Sequence, residues 1–431
     1  MLALVLGCGT ASTVIGTIPS GDRPVDGVDS AIEDAPGDTS AEPVDTAPAD
    51  TDDPEADAAF QETLFSDSMI HEVEITLSAE SELGLHRDPY TFVPGDFTLD
   101  GEVLPNVGVR LRGKVGSFRE LSGKPKFKID FGEFEDGQHF HGLKSLSLNN
   151  EVVDCSYLKE PVAYRVYRDM GLPAGRTGFS HVTVNGEDYG LFVVVEVPDG
   201  KFLNTRFVDN DDGNLYDGKY LYNPDNGSYT MVDFATGVDD LFQLEEGVDN
   251  GHTDITAISD ATTLFRGEEF DEGMDPLVDW GEWHTNWAAE QWVGHVDGYA
   301  MNRNNYRVYF RPSDGRMVVI PWDFDYAFIE DSSWGMSWRS PSGKLAKRCW
   351  TDASCLAAQT EAMRALAGTD AGGVDAAVLL PWYDGMVALI ADQAMADPRR
   401  ECRGQDVVAY QEYVRWWIET RSATMQTYWA I

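Results

Sequence analysis

The chain predicts an α+β fold, with mixed, strand-rich structure in its first half and mainly helical structure in its second. Three observations carry this reading. Between residues 70 and 196, apolar and polar residues alternate in short runs closed by Asp100-Gly101 and Asn185-Gly186, pairs that suit two-residue hairpin turns. From Pro276 onward the apolar residues recur at helical spacing instead. Within that second half stand two acidic centres, Asp297 with Asn302, and Asp323-Phe324-Asp325. They flank NYRVYFRP and RMVVIPW, two strand-like runs joined by the turn residues Ser313-Asp314-Gly315. Hard oxygen donors of this kind suit Mg²⁺ or Mn²⁺ rather than a soft metal.

Taken in order, the chain opens with MLALVLGCGTAS, an apolar run too short to span a bilayer. Its Val5-Leu6-Gly7-Cys8 resembles the lipobox of bacterial lipoproteins, which implies a signal region over residues 1–17, a lipid anchor at Cys8 as the only membrane contact, and an extracytoplasmic location at the cell surface or in the periplasm. Residues 18–59 are rich in Asp, Glu, Pro, Thr and Ala, and read as a disordered acidic tether. The net charge of -42 over 431 residues argues against a chain that binds nucleic acid through its net field; a basic protein partner, or plain solubility, fits it better.

Folded structure is expected to begin near Phe65. HEVEITLS alternates as a strand, GDFTLDGEVLPNVGVRLRGK as a hairpin, and KPKFKIDF as a further strand. In that last run Lys124, Lys126 and Lys128 share one face and Phe127, Ile129 and Phe131 the other. Three ammonium groups in a row repel one another unless something anionic covers them. After the strand-like LKSLSLNN, residues Asp154 to Gly171 read as an amphipathic helix, and FSHVTVNGEDYGLFVVVEV as a second hairpin. Residues 202–251 are rich in Asn, Asp and Gly and read as a loop-heavy insertion. Trp280, Trp283, Trp287 and Trp292 then form a helical stripe assigned to the core, and two long apolar helices follow Leu356.

If Cys8 is lipidated, Cys155, Cys349, Cys355 and Cys402 remain, an even number that allows two disulfides in an exported chain. The short loop between Cys349 and Cys355 is the first to close, which leaves Cys155 for Cys402. Four free thiols in a cytosolic chain is the alternative. No CxxC occurs and the histidines do not cluster with the cysteines in sequence, so no zinc site is expected.

With these pieces in place, VRLRGKVGSF, KPKFKIDF, LKSLSLNN with DCSYLKEPVAYRVYRDMGLPAGR, VTVNGEDYGLFVVVEV, DGYAMNRNNYRVY and VVIPWDFDYAF follow one another in an order that resembles the spore-coat protein H (CotH) kinase family. The resemblance implies an atypical two-lobed, protein-kinase-like fold, with an N-lobe over residues 60–200 and a C-lobe over 201–431. It implies ATP and Mg²⁺ or Mn²⁺ as cofactors. A lysine of the KPKFK strand would hold phosphate, Lys128 first and Lys126 or Lys124 otherwise, with Arg110 and Arg112 of VRLRGK beside the nucleotide. Glu160 takes the place of the carboxylate that pairs with such a lysine, and Glu196 with Val197 the place of the hinge that meets adenine. Asp297 corresponds to the catalytic-loop aspartate, Asn302 to its metal-binding partner five positions on, and Asp323 or Asp325 to the second metal ligand. The function so implied is metal-dependent transfer of the γ-phosphoryl group of ATP to a Ser/Thr hydroxyl of a basic or Ser-rich protein. The alternative is a surface-anchored binding or structural module that keeps the fold without turnover.

Overall fold

A computed structural model describes residues 53–218, 220–223, 228–235, 241–368 and 372–431. The expected signal region, Cys8 and the tether as far as residue 52 lie outside the described residues. The end of the expected tether is helical: α1 (Pro54–Leu64) begins where Asp53 accepts hydrogen bonds from the Glu55 and Ala56 amides and Pro54 takes the first turn, where no amide partner is needed. Folded structure therefore starts about one helix earlier than composition indicated. The reason is one apolar stripe in acidic text, in which Leu64 is buried and Phe60 meets Phe140 edge-on at 5.5 Å.

β1 (Ile70–Leu77), β2 (Val93–Leu99), β3 (Glu102–Arg112), β4 (Lys126–Asp130), β5 (Ser145–Asn149), β6 (Thr177–Val184) and β7 (Glu187–Glu196) close a barrel in the order β1-β2-β3-β4-β5-β7-β6. All pairs are antiparallel except β1 with β6, which closes the barrel in parallel. The two expected hairpin turns have positive φ at both central residues, 51° and 89° at Asp100-Gly101 and 50° and 76° at Asn185-Gly186, matching strand twist. Phe97, Val109, Phe127, Ile129 and Val194 fill the barrel. The residues between them point outward, so β7 sends Val193 and Val195 to a second core shared with α3 (Lys159–Asp169). That helix starts five residues later than its periodicity suggested, because the Asp154 carboxylate accepts from the Ser156 and Lys159 amides and bends the preceding segment into a turn. The short α2 (Ala79–Arg87) connects β1 to β2.

Past α4 (Gly200–Arg206), the stretch expected to be a loop-heavy insertion holds β8 (Asn214–Gly218), the hairpin of β9 (Tyr220–Asn223) and β10 (Ser228–Met231), and β11 (Phe242–Glu246). β8 and β11 belong to a four-stranded antiparallel sheet, β11-β8-β12-β13, with β12 (Tyr306–Phe310) and β13 (Met317–Pro321). The polar text around them hides the strands, because β8, on which β11 pairs, takes its other partner β12 from far along the chain. The helices are α5 (Thr253–Leu264), α6 (Phe270–Met274), α7 (Trp280–Val293), α8 (Tyr299–Asn302), α9 (Lys344–Cys349), α10 (Ala353–Ala367), α11 (Ala376–Ala396) and α12 (Gly404–Trp429). Trp283, Trp287 and Trp292 of α7 are fully buried, as the stripe predicted. Among the described residues no helix is long and apolar enough to cross a membrane.

Disulfides join Cys155 to Cys402 and Cys349 to Cys355. The first spans 247 residues and links the segment before α3 to the one before α12. Replacing both Cys155 and Cys402 by Ser is expected to cost about 4 kcal/mol, chiefly by freeing the unfolded chain. Denaturant unfolding of the double variant beside the parent measures it.

Candidate active site

On β4 the pleat sends Phe127 and Ile129 into the barrel and Lys126 and Lys128 out of it, opposite Arg112 and Arg110 of β3 in register. Lys126 is almost fully buried, and its Nζ donates to Asp323 Oδ1 and Asp325 Oδ2, at 2.9 Å each. Burial alone would lower its pKa, but the charges of Asp323, Asp325 and then Glu160 outweigh that and hold the ammonium above its ordinary range. Glu160, in the first turn of α3, does not bond Lys126 directly. It accepts from the Phe324 amide at 3.1 Å and from Asn149 Nδ2 at 2.6 Å, which ties α3 and β5 to the Asp323-Phe324-Asp325 segment.

The two aspartates are not equivalent. Burial pushes the Asp323 carboxyl upward, but Lys126 and Arg112, whose guanidinium is 3.8 Å away, overcome it and keep Asp323 below the ordinary carboxylate range. Asp325, more deeply buried and next to that negative charge, is pushed up to about 7. Asp323 has φ 49°, a left-handed conformation that costs a non-glycine residue energy, and its amide donates to Tyr164 Oη at 3.3 Å.

α7 ends at Gly294 with φ 62°, and the chain turns through His295 and Val296 to Asp297. The Asp297 carboxylate accepts hydrogen bonds from the side-chain amides of Asn302, Asn304 and Asn305, the last two at 3.0 Å. Burial raises it to about 6, against the pull of those donors. Asn305 Nδ2 also donates to the Asp323 carbonyl at 3.0 Å, so one side chain joins the two acidic centres. From α7, Glu290 accepts from the Tyr299 and Ala300 amides at 3.0 and 3.1 Å and anchors the loop from below. The buried His295 ring packs on Phe324 with centroids 4.8 Å apart.

The remaining expected residues divide. Lys128 lies beside Arg110 and Arg307; burial, then those two like charges, lower its pKa to about 8. Arg112 and Arg307 both stack on Trp322, at 4.9 and 5.1 Å from the ring centre. Two residues go elsewhere. Lys124 is buried against Asp397 and the Leu191 carbonyl, because it precedes β4 and its side chain enters the packing beside the Cys155–Cys402 disulfide. The Glu196 side chain is held by Arg176 at 2.7 Å and Arg206 at 2.6 Å. Sequence reasoning missed His295, Asn304, Asn305, Glu290 and Arg307. The first three carried a signal, since His295-x-Asp297 with Asn302 spells H-x-D-x-x-x-x-N and the asparagines follow at once.

That loop, a later aspartate and a strand lysine facing it form the ordered element set of a kinase-like protein. The chain belongs to the CotH kinase protein family, whose model matches residues 109–424. A relative is the inner spore coat protein H of Bacillus subtilis (strain 168), 21% identical over 204 residues, 46% of this chain and 54% of that protein. The chain thus spans about half the length of the curated relative it matches. Among solved structures, the HipA, HipB and operator DNA complex of Shewanella oneidensis MR-1 is 12% identical, covering 82% of this chain and 72% of that one, with a TM-score of 0.28. The Helicobacter pylori proinflammatory kinase CtkA is 10% identical over 79% of this chain and 92% of that one, also with a TM-score of 0.28. Membership of the family rests on the sequence match.

Proposed function

We propose that this chain is a two-lobed, kinase-like enzyme that transfers the γ-phosphoryl group of ATP to a serine or threonine hydroxyl of a protein. The observation that carries the reading is the Asn305 side chain bridging Asp297 and the Asp323 carbonyl, with Lys126 seated between Asp323 and Asp325. An ammonium held by two carboxylates marks a cradle that favours a cation, and Asn302, Asp323 and Asp325 are hard oxygen donors that suit Mg²⁺ or Mn²⁺. Bound there, a divalent metal would neutralise phosphate charge.

The chain's own residues supply the rest. Asp297, oriented by three amides, takes the proton of the acceptor hydroxyl. Arg110, Arg112, Lys128 and Arg307 gather cations whose mutual repulsion an anionic phosphate group relieves; the pKa of Lys128 is lowered first by burial and then by the charges of Arg307 and Arg110. Catalysis of this type is mostly positioning and charge neutralisation. The net charge of -42 favours a basic acceptor protein, and a lipid anchor at Cys8 would place the enzyme outside the cytoplasm.

Labelled-ATP transfer by the parent chain and its Asp297→Ala variant tests the reading, together with thermal melting with and without ATP and Mg²⁺ or Mn²⁺. Transfer lost in the variant and a raised midpoint in the parent are expected. A raised midpoint without transfer supports the non-catalytic binding module instead, and neither effect removes both. Because Asp297 must be ionised to accept a proton, kcat/KM is expected to fall about tenfold per pH unit below about 6 and to level off above it.

A further inference from the structure

Away from the candidate active site, His284 of α7, Cys349 at the end of α9 and Cys355 in the first turn of α10 meet in the interior, although His284 and Cys355 are 71 residues apart in sequence. This corrects the expectation that no histidine accompanies the cysteines. One donor atom from each of the three lies within 4.8 Å of the others, and all three residues are buried. Cys355 Sγ is 3.9 Å from His284 Nε2.

The other ring nitrogen fixes which way the histidine faces. His284 Nδ1 is 3.0 Å from Gln359 Oε1, an oxygen that can only accept, so Nδ1 carries the proton and Nε2 turns its lone pair toward the sulfur. Trp280 stacks on the imidazole at 5.4 Å and Trp287 meets it edge-on at 5.6 Å, which locks the ring in place.

We propose that His284, Cys349 and Cys355 form a binding site for a zinc-class divalent metal that opens when the Cys349–Cys355 disulfide is reduced. Two thiols reduce the disulfide to two thiols by giving it two electrons and two protons, and leave as their own disulfide; a phosphine gives the two electrons while one water gives both protons and the oxygen with which the phosphine leaves as its oxide. The sulfurs then part to non-bonded separation. Tetrahedral zinc sets its sulfur and nitrogen ligands about 3.6 Å apart, close to the 3.9 Å already present between Cys355 Sγ and His284 Nε2, and its two sulfur ligands about 3.8 Å apart, a separation the sulfurs reach only once the disulfide bond is broken. Metal binding releases the two thiol protons to solvent. Two thiolates and a divalent ion sum to zero charge, which a buried, tryptophan-walled site tolerates far better than two bare thiolates. Among the described residues no fourth His, Cys or carboxylate joins the group, so water completes the set.

The test titrates Co²⁺ into the full chain before and after reduction by a water-soluble phosphine. One Co²⁺ per chain with thiolate-to-cobalt charge-transfer absorption is expected only after reduction. That absorption should disappear in Cys349→Ser/Cys355→Ser, and binding should weaken at least tenfold in His284→Gln, which preserves side-chain volume and polarity. The Cys155→Ser/Cys402→Ser chain should bind as the parent does. A reduced parent without the band, or a band undiminished in either of the first two variants, overturns the proposal.

Discussion

Asp323→Ala is expected to lower metal-dependent phosphoryl transfer by at least about 10³-fold, the scale of removing one preorganised charge from a transition state. Asp323 is the carboxylate that Lys126 and Arg112 hold ionised, on a residue in a left-handed backbone conformation. Loss of fold would not be the cause. Without the charge of Asp323, the Asp325 carboxyl loses one of the groups that raise it, ionises more readily, and keeps Lys126 paired. Rates from labelled ATP, alongside melting curves that stay within a few degrees of the parent, check both halves. If Asp325→Ala loses transfer while Asp323→Ala keeps it, the metal-binding role belongs to Asp325.

Lys126→Ala and Lys128→Ala are expected to part company. Removing Lys126 leaves Asp323, Asp325 and Glu160 buried without the ammonium that balances them, which costs about 3–5 kcal/mol. The sign of its pH dependence follows. In the variant the carboxylates have raised folded pKa values, so their stability is present at low pH and lost as pH rises through those values; the deficit against the parent is larger at pH 8 than at pH 5. Lys128→Ala relieves repulsion with Arg110 and Arg307 and should leave stability within about 0.5 kcal/mol of the parent or above it. Its loss should appear in nucleotide affinity, weakened about tenfold. Denaturant unfolding at the two pH values and nucleotide titration separate the pair, and equal melting of both variants would remove the distinction.

Local pattern reached far in this chain. Turn pairs such as Asp100-Gly101 need positive φ, and their flanking alternation names the buried face of each strand, so the barrel strands were legible one by one. The tryptophan stripe of α7 was readable in the same way, and so was the short Cys349–Cys355 loop, whereas Cys155–Cys402 followed only by elimination once Cys8 was set aside. β8 and β11 were not, because strands in polar text are stabilised by a partner that their own residues do not announce.

The acidic hairpin shows where local information ends. The sequence by itself determined that Asp297, Asn302 and the Asp323-Phe324-Asp325 segment flank two short strands, and that alternation puts Lys126 and Lys128 on one strand face. Only the tertiary structure decided that Lys126 meets both aspartates while Lys128 faces arginines, that Lys124 and Glu196 are engaged elsewhere, and that His284 lies against a disulfide. The physical reason is common to all of these. Backbone geometry propagates over a few residues and fixes a side chain's face, whereas charge pairing and burial depend on groups brought together across hundreds of residues by packing.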